Sequence, residues 1–305
     1  MEGILPLLKP AGMTSHDCVF KLRKILRTKK VGHTGTLDPD VTGVLPICIG
    51  RATKVAEYLT DAGKSYEGEV TIGFSTTTED RSGDTVESAP GMKTISRADI
   101  LAVLQSFTGQ IEQTPPMYSA VKVNGKKLYE YARAGIEVER PTRTVTIYSI
   151  ELLDDREVFT GETIQFRFRV SCSKGTYIRT LAVMIGEALG YPAHMSYLRR
   201  IQSAGFDLDE CYTLEQVAET AERGQAQDLL KPLERGLEHL PSLVVSEEAA
   251  SKVINGAVLE KPEAVSTQPG EPFVILYKGA ALAVYKVHEH KCNCMKPVKV
   301  LRTTI

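Results

Sequence analysis

The stretch Thr163–Gly190, TIQFRFRVSCSKGTYIRTLAVMIGEALG, changes its hydrophobic period in the middle. Ile164, Phe166, Phe168, Val170 and Cys172 fall at every second position, as in a strand with one buried face. Ile178, Leu181, Ala182, Ile185 and Leu189 recur at helical spacing. SKGTY between them reads as a tight strand-to-helix turn, which puts Arg179 in or near the first helical turn. An arginine there runs against the helix dipole, which favours anions at a helix N-terminus, so a carboxylate or phosphate nearby would account for it.

Strands and helices alternate on the N-terminal side as well. In Lys64–Thr76, KSYEGEVTIGFST, residues Tyr66, Gly68, Val70, Ile72 and Phe74 alternate with Glu67, Glu69, Thr71 and Gly73, which predicts a half-buried strand with Tyr66 on its apolar face. TTTEDRSGD (Thr76–Asp84) is a loop, and SRADILAVLQSFTG (Ser96–Gly109) is a helix started by Ser96 and stopped by Gly109. QTPPMYSAVKVNGKKLYEYARAG (Gln113–Gly135) holds a rigid Pro-Pro pair, an Asn124-Gly125 hairpin signal and a short helix. Nearer the N-terminus, TSHDCVFKLRKILR (Thr14–Arg27) predicts a helix with a Thr14/Asp17 capping box and a stripe of Cys18, Val19, Leu22, Ile25 and Leu26. VGHTGTLDPDVTG (Val31–Gly43) follows as a loop that enters the buried strand VLPICIG. Beyond YLRRIQSAGF the chain is acidic through two expected helices to about Leu240, and the remainder suggests a compact β module of about 65 residues.

The chain has 305 residues, 42% hydrophobic and 25% charged, which excludes a disordered tail protein and allows one large domain plus a small one. No apolar run approaches the roughly 18 residues that span a bilayer, and MEGILPLLKP has no basic stretch before its apolar residues, unlike a signal peptide. The six cysteines at 18, 48, 172, 211, 292 and 294 are scattered apart from the last pair, which favours reduced thiols and a cytoplasmic setting. Net charge is −1, yet residues 21–30, KLRKILRTKK, carry six positive charges and no acid. Such a cluster can build a basic surface for a phosphate backbone, or simply a solvated helix face.

Asp38 is the most suggestive acid: glycines around it permit close approach, and Pro39 holds it out of helical conformation. An Asp-Pro in a loop is also an ordinary turn, and Tyr66 taken alone reads as core. In HEHKCNC, His288, His290, Cys292 and Cys294 would share a face on a strand, a poor approximation to a tetrahedral zinc site. No phosphate-binding loop, HExxH or Ser-His-Asp signature occurs, so nothing calls for a nucleotide, flavin or metal.

Taken together, KPAGMTS (Lys9–Ser15), GHTGTLDPDVTG (Gly32–Gly43), KSYEGEVTIG (Lys64–Gly73), TTTEDRSG (Thr76–Gly83), Gln113–Gly135 and CSKGTYIRTLA (Cys172–Ala182) resemble, in order, the motifs of the bacterial tRNA pseudouridine-55 synthases, the TruB family. The resemblance implies an α+β fold: a pseudouridine-synthase-like mixed, largely antiparallel sheet with helices over residues 1–238, and a small C-terminal PUA-like RNA-binding β barrel over 239–305. It implies isomerisation of uridine 55 in the tRNA T loop without a cofactor or metal. Asp38 would be the nucleophile, acting at C1′ or through a glycal route, Arg179 would hold it by a bidentate pair, and Tyr66 would stack on the base and help remove the C5 proton. His33 would fill the space left by the flipped nucleotide, and Tyr177 and Leu198 would line the uracil pocket. Lys9, Lys122, Lys126, Lys127 and the basic helix are candidate phosphate partners. The expected partner is the tRNA T-arm, with no membrane, no obligatory protein partner and a monomeric state. Two rivals are an RNA-binding or tRNA-folding protein of the same fold and a synthase acting on another RNA.

Overall fold

The computed structural model describes the chain except residues 264, 266, 267 and 269 and the side chain of Cys292. Its centre is a nine-stranded sheet. Seven strands follow the order Gly3–Lys9, Thr42–Ile49, Ala193–Ser203, Lys64–Ile72, Ile164–Cys172, Arg143–Leu152 and Gly109–Gln113, with Val31–His33 and Phe206–Asp207 attached at the sides. Neighbours in this sheet are antiparallel except Thr42–Ile49 and Ala193–Ser203, which run parallel and pair Arg199 with Thr42 and Arg200 with Gly43. The mixed, largely antiparallel α+β sheet is as expected.

Alternation along the strands assigns the two faces. Leu5, Leu7, Leu45, Ile47 and Ile49 bury against Cys18, Val19 and Leu22 of the helix Ser15–Ile25 and against Leu214 and Val217 of the helix Leu214–Glu222. Thr14 caps the first of these with the anticipated box, its hydroxyl accepting from Asp17 N–H. Ile4, Val44 and Cys48 point the other way and pack with Leu59, Phe206 and the C-terminal residues Val274, Ala281, Val284 and Leu301. At the far end, Val70, Ile72, Phe166, Phe168 and Val170 form one core with the helix Ile178–Ala188 and with Ile100 and Leu104 of the helix Arg97–Ser106.

Three sequence expectations need correction. The strand containing Tyr66 stops at Ile72, because Gly73 turns it with φ 128°, and Phe74 belongs to a separate hairpin with Thr85–Ser88. The acidic stretch before Leu240 holds one α-helix, Leu214–Glu222; Gly224 at φ 76° ends it, and 3₁₀ turns at Ala226–Leu229 and Leu233–Gly236 replace the second. The strands Arg143–Leu152 and Ala193–Ser203 had no counterpart in the sequence reading. The latter, AHMSYLRRIQS, lacks clean alternation because its pairing with Lys64–Ile72 slips at Met195/Tyr197 and at Arg200/Gln202.

The C-terminal strands Ser242–Val244, Pro272–Tyr277, Ala280–His288, Lys291–Val300 and Leu259–Glu260 curl as one sheet around Val253, Phe273, Ile275 and Tyr285, in keeping with the small β module expected there. Two of its contacts reach the larger sheet's flank: Lys54 Nζ donates to Val300 O at 2.8 Å, and Arg302 pairs with Glu234 at 2.6 Å. HEHKCNC is split by a hairpin turn at Glu289–His290, so the residues do not share one strand face; Cys292 lies outside the described side chains. Among the described residues, no group of three or more His, Cys, Asp or Glu is gathered to hold a metal ion.

Gly43 is the tightest crossing in the sheet. It sits at φ 118°, and a Cβ there would lie 2.1 Å from Arg200 O, a contact with backbone that no side-chain movement relieves. Gly43→Ala is therefore expected to lower stability by about 2–4 kcal/mol, read from the urea unfolding midpoint, with loss of the cavity geometry described next.

Candidate active site

Asp38 stands between Val31–His33 and Thr42–Ile49, in a loop tied down from below. Ser15 Oγ donates to Leu37 O at 3.3 Å and accepts from Leu37 N–H at 2.9 Å, and Gly12 N–H donates to Pro39 O at 2.9 Å. Lys9 Nζ donates to Pro10 O, Pro39 O and Val41 O at 2.8–2.9 Å. The Lys9 side chain is fully buried, so it braces the loop and does not reach a phosphate as expected; burial also pushes its ammonium below the ordinary lysine range.

The strand-to-helix junction read from the sequence delivers Arg179 against this loop. Arg179 Nε lies 3.0 Å from Asp38 Oδ2, Nη1 donates to Thr78 O at 2.8 Å, and Nη2 donates to Tyr118 O at 2.9 Å. Asp80 Oδ2 is 3.9 Å from Nη1. The pair is thus single and not bidentate, because the rest of the fork is committed to carbonyls of two other loops. Burial pushes the Asp38 carboxyl above its ordinary value; Arg179 opposes this and Asp80 adds to it, so the pairing offsets the burial only in part. Its side chain still keeps 40% of its surface exposed, open to an approaching substrate.

A cavity of about 270 Å³ opens beside Asp38, and Tyr66, Tyr177, Arg179 and Leu198 all line it. Tyr66 projects from Lys64–Ile72 with 7% exposure, and burial raises its phenol pKa. Tyr177 precedes the helix Ile178–Ala188; its N–H donates to Gln113 Oε1 at 3.0 Å and its O accepts from Gln113 Nε2 at 3.2 Å. His33 stands apart. It is half-buried, does not line the cavity, and its Nδ1 faces Gly35 N–H at 3.4 Å, while burial lowers its pKa and favours the neutral ring.

Among the cavity residues that sequence reasoning missed are two buried cations, Lys64 and Arg200. Lys64 lies two positions before Tyr66 on the same strand face, which its spacing could have shown; Arg200 was hidden because its strand was not recognised. Of the other basic candidates, Lys122, Lys126, Lys21, Lys24, Arg27, Lys29 and Lys30 are exposed and Lys127 is half-buried. Arg23 turns back to donate to Val31 O at 3.1 Å.

The site is thus a carboxylate held by an arginine at the mouth of a cavity walled by two tyrosines and a leucine, on a mixed sheet. Comparisons with known proteins identify the class. Residues 23–178 match the family model described as TruB family pseudouridylate synthase (N terminal domain), and residues 179–238 match the tRNA pseudouridylate synthase B C-terminal domain. The tRNA pseudouridine synthase B of Geobacillus thermodenitrificans (strain NG80-2) is 60% identical over 302 residues, 99% of this chain and 100% of that one. Its namesake in Bacillus subtilis (strain 168) is 57% identical over 303 residues, 99% and 98% of the two chains. The solved structure titled "Crystal Structure of a Cbf5-Nop10-Gar1 Complex" superposes with a TM-score of 0.75 at 32% identity, covering 98% of this chain and 83% of that one. This chain belongs to the TruB family of pseudouridylate synthases.

Lys64 yields a stability test. Among the described residues its Nζ donates to Thr60 O and Ala62 O, at 2.9 and 3.0 Å, and burial, with Arg200 adding repulsion, pushes its pKa down to about 8. An unfolded lysine titrates near 10.4, so between about 8 and about 10.4 the unfolded chain holds a proton that the folded chain has released. Stability from this group is therefore present at high pH and lost as pH falls through about 8. Subtracting the urea-unfolding profile of Lys64→Met from that of the parent is expected to leave a positive slope in this window, at most about 1.4 kcal/mol per pH unit.

Proposed function

We propose that this chain isomerises uridine 55 in the T loop of tRNA to pseudouridine, with Asp38 as the nucleophile. The observation that carries the reading is the Asp38–Arg179 contact at 3.0 Å, at the mouth of a cavity lined by Tyr66, Tyr177 and Leu198. The curated relatives' activity supports the choice of tRNA as substrate.

The chemistry follows from the groups present. The target uridine leaves its stack at a cost of a few kcal/mol, and its ring enters the cavity between Tyr66 and Leu198. Asp38 acts at the ribose, either adding to C1′ or drawing a proton for a glycal route, and the N1–C1′ bond breaks. The uracil turns while the walls retain it, and C5 bonds to C1′. Arg179 keeps the carboxylate aimed throughout, since its two remaining anchors do not move with the substrate. Tyr66 then receives the C5 proton. Substrate and product are isomers, so the balance needs no oxidant, reductant or donor, and EDTA treatment is expected to leave turnover unchanged. His33, outside the cavity, would occupy the place vacated by the base.

Residues 239–305 serve in this reading as a PUA-like RNA-binding module, supported by a sheet and core of their own. The exposed Lys21, Lys24, Arg27, Lys29 and Lys30, with Lys122 and Lys126, supply phosphate contacts. The chain works as a monomer without an obligatory protein partner, in the cytoplasm; no helix of the described residues is long and apolar enough to cross a membrane.

Asp38→Asn keeps the shape and removes the nucleophile, so purified variant is expected to bind unmodified tRNA as the parent does and to form no pseudouridine on mapping. Turnover by this variant would overturn the assignment. In the parent, activity requires the carboxylate, so the single-turnover rate should fall as pH falls, with its acid limb displaced above the ordinary carboxyl value of 3.8.

A further inference from the structure

Arg200 heads the fully enclosed side chains in volume, at 1% exposure, and the mechanism above makes no use of it. It lies opposite Tyr66 across the paired strands and lines the cavity. Its Nε donates to Val44 O at 2.7 Å and Nη2 faces Gly35 O at 3.4 Å, which spends one edge of the fork on the two ends of the Asp38 loop. The Arg200 charge, on the cross-strand neighbour of Tyr66, favours the ionised form of its phenol. Among the described residues Arg200 has no carboxylate partner, in contrast to Arg179, which has Asp38 and Asp80. Lys64 on the same cavity wall is likewise bonded to carbonyls alone. Burying a guanidinium without a counter-charge is costly, which points to an anion that forms beside it during the reaction.

We propose that Arg200 is a positioning residue that stabilises the phenolate of Tyr66, the form that takes the C5 proton once C5 has joined C1′. The inference rests on the reading of Tyr66 as that base. In the step itself, the phenolate oxygen bonds to the proton and the C5–H pair becomes the C5=C6 bond. The C6=N1 pair withdraws to N1, which takes a proton from solvent. The phenol returns its own proton to solvent before the next turnover, so the cycle balances. The titratable and charged groups that act on the hydroxyl are Arg200, Cys172 and Asp38, with Lys64 two residues along the same strand. Burial, Cys172 and Asp38 all disfavour the phenolate, and Arg200 opposes them. Without its charge, C5 deprotonation slows and becomes rate-limiting.

The test is a double-mutant cycle read with tRNA deuterated at C5 of the target uridine. Arg200→Met is expected to slow pseudouridine formation about 10–100-fold and to raise the C5-deuterium isotope effect above the parent's, with tRNA affinity retained. In a Tyr66→Phe background, which lacks the oxygen that Arg200 acts on, the same substitution should cost less than about 3-fold more. Arg200→Lys keeps a charge but loses the fork, and its isotope effect should fall between parent and Arg200→Met, which serves if the methionine variant folds poorly. An equal loss in both backgrounds with an isotope effect like the parent's would make Arg200 a scaffold residue and overturn the proposal. A parent that forms no pseudouridine at uridine 55, or a Tyr66→Phe variant with the parent's rate, would instead mark failure of the functional reading.

Discussion

The guanidinium of Arg179 joins parts of the chain that are distant in sequence. Its three donor directions go to Asp38, to Thr78 O and to Tyr118 O, while its own backbone sits in the first turn of the helix Ile178–Ala188. At 5% exposure it has almost no water to fall back on, so each of these partners is needed to compensate its burial. The loop carrying Asp38, the polar loop after Thr76 and the segment after the Pro-Pro pair therefore take up their positions together. Thr180 adds a further tie in the same turn, its hydroxyl donating to Glu79 Oε2 at 2.7 Å.

That constraint shapes the electrostatics of the cavity. A fully bidentate arginine would hold the Asp38 carboxyl lower. A single Nε contact leaves the second carboxylate oxygen free, and burial raises the carboxyl pKa in spite of the pairing. The same cavity is lined by Lys64 and Arg200, which form no ion pair with an acid among the described residues. The cavity thus combines a carboxyl group paired to one arginine with two buried basic side chains that have no acid partner among the described residues. Such fixed charges need no reorganisation when charge develops on the substrate or on Tyr66.

Local pattern carried a large part of this. The period change in Thr163–Gly190, the capping box at Thr14, the Asn124-Gly125 hairpin and the placing of Arg179 in a first helical turn are short-range features, decided by residues within a few positions of one another. Asp38 stood out because glycine and proline mark an unusual loop at any level of description, and Tyr66 because alternation put it on an apolar face.

What only the tertiary structure decided concerns residues whose surroundings come from far along the chain. Lys9 looked like a phosphate ligand, yet two carbonyls of the Asp38 loop, brought in by the pairing of Gly3–Lys9 with Thr42–Ile49, enclose its ammonium together with the carbonyl of the adjacent Pro10. Arg179 looked able to grip Asp38 with two bonds until Thr78 and Tyr118 claimed the others. The strand Ala193–Ser203 escaped recognition because it lies between two other strands of the sheet and slips register twice, so its polar side chains find partners that no local periodicity encodes. The sequence by itself determined which segments are strands or helices wherever one face is uniformly apolar, and which acid stands in a loop open to close approach. The partners of the buried charges were left to the fold, because a charge in a low-dielectric interior is governed by whichever groups the topology sets within a few ångströms of it, whatever their distance along the chain.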